Sequence, residues 1–416
     1  MGRASRTPGQ SGPPPKLLFL CQTLPYPPDG GVWIRSYHIL RLLSQIFDVH
    51  TLCFERAGAA GSATWDDSRA GLATLGRVQM FRIPQLHSQT RLLWDHLRSV
   101  ASGHVYTTYR YESPLFRRAL DEALGDPVHV VHADSLDLLT YFPVLNGRML
   151  VCNHHNVESQ LLERRAALER TPLRRWYLGH QARLMERAER QWCGAVALNV
   201  TVSDPDAEVL RGLAPTGRYV TIPNGVDIDY FRPASSGTDS GSIVFSGGTN
   251  WFPNRDALGW FAETILPLIR AQRCDPTVEW IGHSTTEEQG TFGAQGIHLT
   301  GYVDDIRSGV RGAACYVVPL RVGGGTRLKI LDAWAMGKAV VSTSVGCEGL
   351  SACDGDNILI RDEPEAFASA VVQVLRDPGL RERLGRSARA TAEREYSWGV
   401  IGGRLHDLYR SLLNAA

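Results

Sequence analysis

The amino-acid sequence predicts an α/β protein of two doubly wound, Rossmann-like domains facing one another across a cleft. Three observations predict it. Strand-like apolar runs alternate with helical patterns, the alternation halts at a polar linker and starts afresh, and 416 residues suffice for two cores. "KLLFL" (16–20) reads as a buried strand, followed by the loop "CQTLPYPPDGG", a helix from about Trp33 to Leu43, and a returning strand "DVHTLCF" (48–54). That is one βαβ unit. "VHVVHAD" (128–134), "GRMLVCNHHN" (147–156) and "VALNVTVSD" (196–204) continue it, while the aromatic-rich stretch 82–117 has no clear assignment. A long arginine-rich helical pattern, broken at Pro172, runs from Glu158 to Cys193. It reads either as a solvated helix laced with i,i+4 pairs or as a basic face for an anionic membrane.

After "ASSGTDSGS" the rhythm restarts. "SIVFSGG", "TVEWIG", "IHLTGYV", "CYVVPL" and "AVVSTSVG" read as strands with helices between them. The expected division is a disordered tail (1–15), an N-terminal domain (16–225), a linker (226–242), a C-terminal domain (243–390) and a last helix (391–416) that returns to the first domain.

Composition narrows the function. The chain is 43% apolar and 21% charged with a formal net charge of +1, an ordinary globular balance with no electrostatic case for nucleic acid. No run of eighteen apolar residues predicts a membrane span, and the N-terminus lacks the apolar core of a secretory signal. The eight cysteines stand singly with no C-x-x-C pair, which suits a reducing cytoplasm and gives no zinc site. Lysine occurs only at 16, 329 and 338, so Lys329 is conspicuous.

Lys329 belongs to "PLRVGGGTRLKILDAWAMGKAVVST" (319–343). A glycine loop opens onto an amphipathic helix whose start carries Arg327 and Lys329, the wrong sign for the helix macrodipole. A bound anion resolves the conflict. Glycines 323–325 and Thr326 let backbone N–H groups approach it, Arg327 offers a planar fork and Lys329 a point charge. Two cations suit a diphosphate, and Asp332, one turn on, suits a ribose hydroxyl. The plain alternative is a tight turn whose cations face water. The spacing matches neither a P-loop nor G-x-G-x-x-G.

In this context the chain resembles the retaining glycosyltransferases of family 4, which have the B-type fold. "IPNGVDIDYFRP", "VFSGGTNWFPNRDALGWF", "GYVDDIR", "GCEGL" and "REYSWGVIGGRL" occur in that family's order, and "NHHNVES" resembles a stretch of one subgroup with a "GGGTRLK" loop. The resemblance implies a nucleoside diphosphate sugar as donor, no other cofactor, no metal, retention of configuration, and a saccharide, lipid-linked or small-molecule acceptor. It implies base contacts from Tyr302 and Val303, a phosphate-side turn at Gly31, and His155 beside the transferred sugar. Two glutamates eight positions apart are usual in the family; here the positions hold Gly324 and Asp332. An epimerase of the same fold and a non-catalytic nucleotide-sugar-binding subunit are the alternative readings.

Overall fold

The computed structural model describes residues 13–56, 65–233, 241–324 and 327–415. The chain divides into two compact units, one formed by Met1–Ile222 with Gly402–Ala416, the other by Pro223–Ile401. The first boundary falls at 222/223, and the whole described part of the expected linker, 226–233 and 241–242, lies in the second unit. The second boundary falls inside the last helix, Trp398–Ala415.

The first unit holds a seven-stranded sheet: β1 (Lys16–Cys21), β2 (Asp48–Phe54), β3 (Arg77–Phe81), β4 (Val130–Ala133), β5 (Leu150–Asn153), β6 (Leu198–Thr201) and β7 (Tyr219–Thr221). All pairings are parallel, in the order β3-β2-β1-β4-β5-β6-β7. Parallel sheets are covered on both faces, so the central strands read as unbroken apolar runs: β4, β5 and β6 are buried at every position. Leu20, Phe54, Phe116, Val131, Phe142 and Leu145 form much of this core.

The second unit repeats the plan with six strands, β8 (Ile243–Ser246), β9 (Val278–Ile281), β10 (Ile297–Gly301), β11 (Cys315–Val318), β12 (Val340–Ser342) and β13 (Leu359–Ile360). Their order is β10-β9-β8-β11-β12-β13, again all parallel. In each sheet the order reverses between the first and fourth strands. Such a switch point leaves a crevice at the carboxyl ends of the strands, where doubly wound folds bind ligands.

The unassigned stretch 82–117 contains the helix Gln89–Ser102, capped by Ser88 at its start and by left-handed Gly103 at its end. The arginine-rich pattern is two helices, Glu158–Leu168 and Pro172–Cys193, with Pro172 in the first turn of the second.

Candidate active site

At the switch point of the second unit, β8 ends in Gly247 and Gly248, and β9 ends in Gly282. Gly247 and Gly282 have φ of +147° and +142°, in the region that disfavours side chains. A Cβ on Gly282 would lie 2.7 Å from the Gly247 carbonyl carbon, and one on Gly247 would lie 2.8 Å from Lys329 Nζ. The strand ends are therefore glycine because backbone and lysine converge there. The Gly247 N–H donates to Ile281 O at 2.7 Å, and the Gly282 N–H to Gly301 O at 3.0 Å.

Lys329 lies in the first turn of the helix Leu328–Ala335. Its Nζ donates to Asn254 Oδ1 at 2.8 Å and stands 3.9 Å from the centre of the Phe245 ring. Phe245 stacks in turn on Trp280 at 3.7 Å, and Asn254 Nδ2 donates to Gly248 O at 2.9 Å. Burial pushes the Lys329 ammonium well below the ordinary lysine range; Arg327 adds to this and Asp332 opposes it. The half-buried Asp332 carboxyl is pushed up by burial to about 7, against the pull of Lys329. An anion beside this desolvated group would favour its charged form.

The other expected residues of this unit are placed differently. Arg327, at the helix N-cap, is 3% exposed and turns back on its own loop, donating to Gly324 O and, at 3.3 Å, to Val345 O. A Cβ on Gly323 would lie 2.3 Å from that guanidinium, so the glycine makes room for it. Arg327 thus fastens the loop to the turn after β12. Gly325 and Thr326 lie outside the described residues. Tyr302 is exposed, while Val303 packs against the core. Next to them Asp305 spends its carboxylate on Arg307, with contacts of 2.7 to 3.0 Å. Arg255, on the surface, pairs with Glu288.

The switch point of the first unit is built around Asp134, fully buried just after β4. Its Oδ2 faces His155 Nε2 at 3.3 Å and accepts from Ser36 Oγ at 2.5 Å and Cys21 Sγ at 3.3 Å. Asn153 bridges it to a buried cation: Nδ2 donates to Asp134 Oδ1 at 3.2 Å, while Oδ1 accepts from Arg35 at 2.8 Å. Burial alone would raise the Asp134 carboxyl, but His155 and His132 outweigh it and hold the group well below the carboxylate range. Burial also lowers Arg35, to about 10, which leaves it charged at neutral pH.

The two adjacent histidines diverge. His155 reaches the Asp134 carboxylate. His154 is buried with Nε2 2.9 Å from Asn199 Oδ1, and burial holds its imidazole down to about 4. His132 stacks on Phe19, and its Nδ1 meets the hydroxyl of Tyr409. Gly31 opens the helix Gly31–Leu43, and a Cβ there would meet nothing within 4 Å. The preceding loop is held by Arg56, which bonds to Leu24 O and Asp29 and lies over the Trp33 ring. Asn254, Arg35, Asp134 and Asn153 escaped the sequence reading. The one local sign was a carboxylate directly after an apolar strand, in "HAD".

Glycosyltransferase Family 4 matches residues 29–230 of this chain, and Glycosyl transferases group 1 matches residues 240–377. The chain thus carries two glycosyltransferase domains, a family 4 domain followed by a group 1 domain. It is 27% identical over 208 residues to phosphatidyl-myo-inositol mannosyltransferase of Mycobacterium tuberculosis, covering 46% of this chain and 54% of the relative. A GDP-mannose-dependent monoacylated alpha-(1-6)-phosphatidylinositol monomannoside mannosyltransferase of Corynebacterium glutamicum is 24% identical over 225 residues, covering 48% and 58%. The chain thus spans about half the length of the curated relatives it matches. Among solved structures, sucrose-phosphate synthase from Thermosynechococcus elongatus superposes with a TM-score of 0.71 at 16% identity, over 96% of this chain and 100% of that one. Anabaena HepE in complex with UDP-glucose gives 0.65 at 16%, over 95% and 99%. At such identity these two establish a common fold.

Proposed function

We propose that this protein transfers a hexose from a nucleoside diphosphate sugar to an acceptor hydroxyl, with retention of configuration and without a metal. The second unit binds the donor, and the first binds a saccharide, lipid-linked or small-molecule acceptor. The observation that carries this reading is Lys329, a desolvated ammonium held beside strand-end glycines at a switch point. Departure of the diphosphate builds negative charge, and a fixed cation beside a helix N-terminus stabilises it without reorganisation. Such preorganised groups contribute several kcal/mol each.

Arg327 positions the loop and adds positive potential behind it, with Gly323, Gly324, Gly325 and Thr326 presenting backbone to the phosphates. Asp332 accepts from the ribose, its carboxylate form favoured by the charge on Lys329. Tyr302 and Val303 contact the base, Gly31 allows close approach on the phosphate side, and His155, fixed by Asp134, orients the sugar or acceptor. With Gly324 where relatives carry a glutamate, the sugar hydroxyls are left to backbone amides. The same reading places the protein in the cytoplasm, peripheral on the inner face of a membrane. It draws support from the lipid named for the mannosyltransferases above and from the UDP-glucose bound to HepE.

A thermal-shift panel of UDP, GDP, ADP, dTDP and CMP tests it. One diphosphate at a hundredfold its Kd should stabilise the fold by about 2.7 kcal/mol. Radiolabelled transfer from the matching sugar nucleotide then reads the acceptor, and His155→Ala should lower turnover at unchanged nucleotide affinity. If no nucleotide shifts the melt, the glycines form only a turn and the reading fails.

A further inference from the structure

The helix Gln89–Ser102 is mounted inside out. Its inward face carries Asp95 and Ser99, both fully buried. Asp95 accepts from Arg91 Nε at 2.8 and 3.0 Å. Ser99 Oγ donates to His104 O at 2.8 Å and accepts from Gln181 Nε2 at 2.8 Å. Its outward face carries Leu93, Trp94, Leu97 and Val100, which are 63%, 61%, 56% and 38% exposed. Leu93, Leu97 and Val100 follow i, i+4, i+7, so they form one stripe, with Trp94 beside it. The polar bonds fix the roll of the helix, so the stripe cannot turn inward without breaking them.

The neighbouring helix Pro172–Cys193 is locked to this one. Tyr177 OH lies 2.6 Å from His96 Nδ1, and Gln181 bonds to Ser99. Its first turns show Leu173 and Trp176 to solvent, 73% and 52% exposed. Around them residues 170–185 hold four arginines, Arg170, Arg174, Arg175 and Arg183, and no acidic residue. All four are exposed.

We propose that this surface is where the protein seats on an anionic lipid bilayer, the apolar stripe at the headgroup–acyl boundary and the arginines on lipid phosphates. It extends the peripheral-membrane reading above and is independent of the donor chemistry. Tryptophan, leucine and arginine in this arrangement suit a bilayer interface, where an apolar face inserts and cations meet anionic headgroups. Charge selects this occupant over a second copy of the chain. In a two-fold dimer the patch would meet itself and bring its four arginines against one another, and Glu169 beside Arg174 is too little acid to balance them.

Flotation of the full chain with phosphatidylcholine vesicles, with and without phosphatidylglycerol, tests this. Binding is expected only to the anionic vesicles and should fall with salt. Trp94→Ser combined with Leu97→Ser should weaken it at least roughly tenfold, and Arg174→Glu with Arg175→Glu should abolish its salt-sensitive part. No binding of the wild type, or equal binding by the variants, overturns the proposal. So does a dimer in light scattering that Trp94→Ser with Leu97→Ser converts to monomer. The nucleotide thermal shift read on the same samples separates the two ideas. A shift without flotation leaves only the transfer reading, and flotation without a shift leaves only this one.

Discussion

Lys329 and His154 are both held in uncharged directions by burial, with different consequences. An anion beside Lys329 raises its depressed pKa, so diphosphate binding should take up protons. Calorimetric titration in buffers of differing ionisation enthalpy measures that uptake, and affinity should fall as pH rises through the free-protein value. His154 bears on stability. Asn199 spends its amide hydrogens on Cys193 O and Arg218 O, so its Oδ1 accepts and His154 Nε2 carries the proton. With a folded value of about 4 against about 6.5 unfolded, the neutral ring is favoured in the fold. Its contribution is complete above the unfolded value and is lost as pH falls toward the folded one, by about 3 kcal/mol. Urea unfolding of wild type and His154→Gln at neutral and at acid pH tests this: the variant should be the less stable at neutral pH and lose less on acidification.

Elements hold these residues through contacts that tolerate little change. A methyl on Gly282 meets backbone of the β8 end, so Gly282→Ala should cost about 1–3 kcal/mol in equilibrium denaturation and weaken nucleotide binding. In the first unit, Asp134→Ala removes the buried carboxylate that meets His155, Ser36 and Cys21 and that, with Asp206, offsets the Arg35 charge. Loss of such a buried ionic partner costs about 3–5 kcal/mol. Legibility in the sequence followed burial at this scale. Central strands such as β4 and β5 are apolar throughout and were readable. β3, half-buried along most of its length at the sheet edge, and the two-residue β13 show no apolar run to see. The helix Gln89–Ser102 escaped assignment because its buried positions are Asp95 and Ser99, the reverse of the pattern that marks a helix facing a core. Lys329–Asn254 and Asp134–His155 join distant segments and leave no local trace, whereas the glycines and cations of 323–329 were visible together.

At the scale of the whole molecule, one architecture is used twice, and chemistry gathers at the reversal of strand order in each copy. The glycines, Asn254 and Lys329 mark it in the second unit; Asp134, Asn153 and His155 mark it in the first. Hydrogen exchange with a bound diphosphate should therefore gain protection mainly at 246–249, 282–283 and 323–331, with little change around Asp134. The measurement that tests the account most directly is calorimetric titration of the nucleoside diphosphate chosen by the thermal-shift panel into wild type and Lys329→Ala. The account predicts one site per chain in the wild type and at least roughly a hundredfold weaker binding in a variant that remains folded, since a desolvated cation–phosphate contact is lost. Equal affinity in the two proteins would contradict it, for the diphosphate would then lie elsewhere than at Lys329.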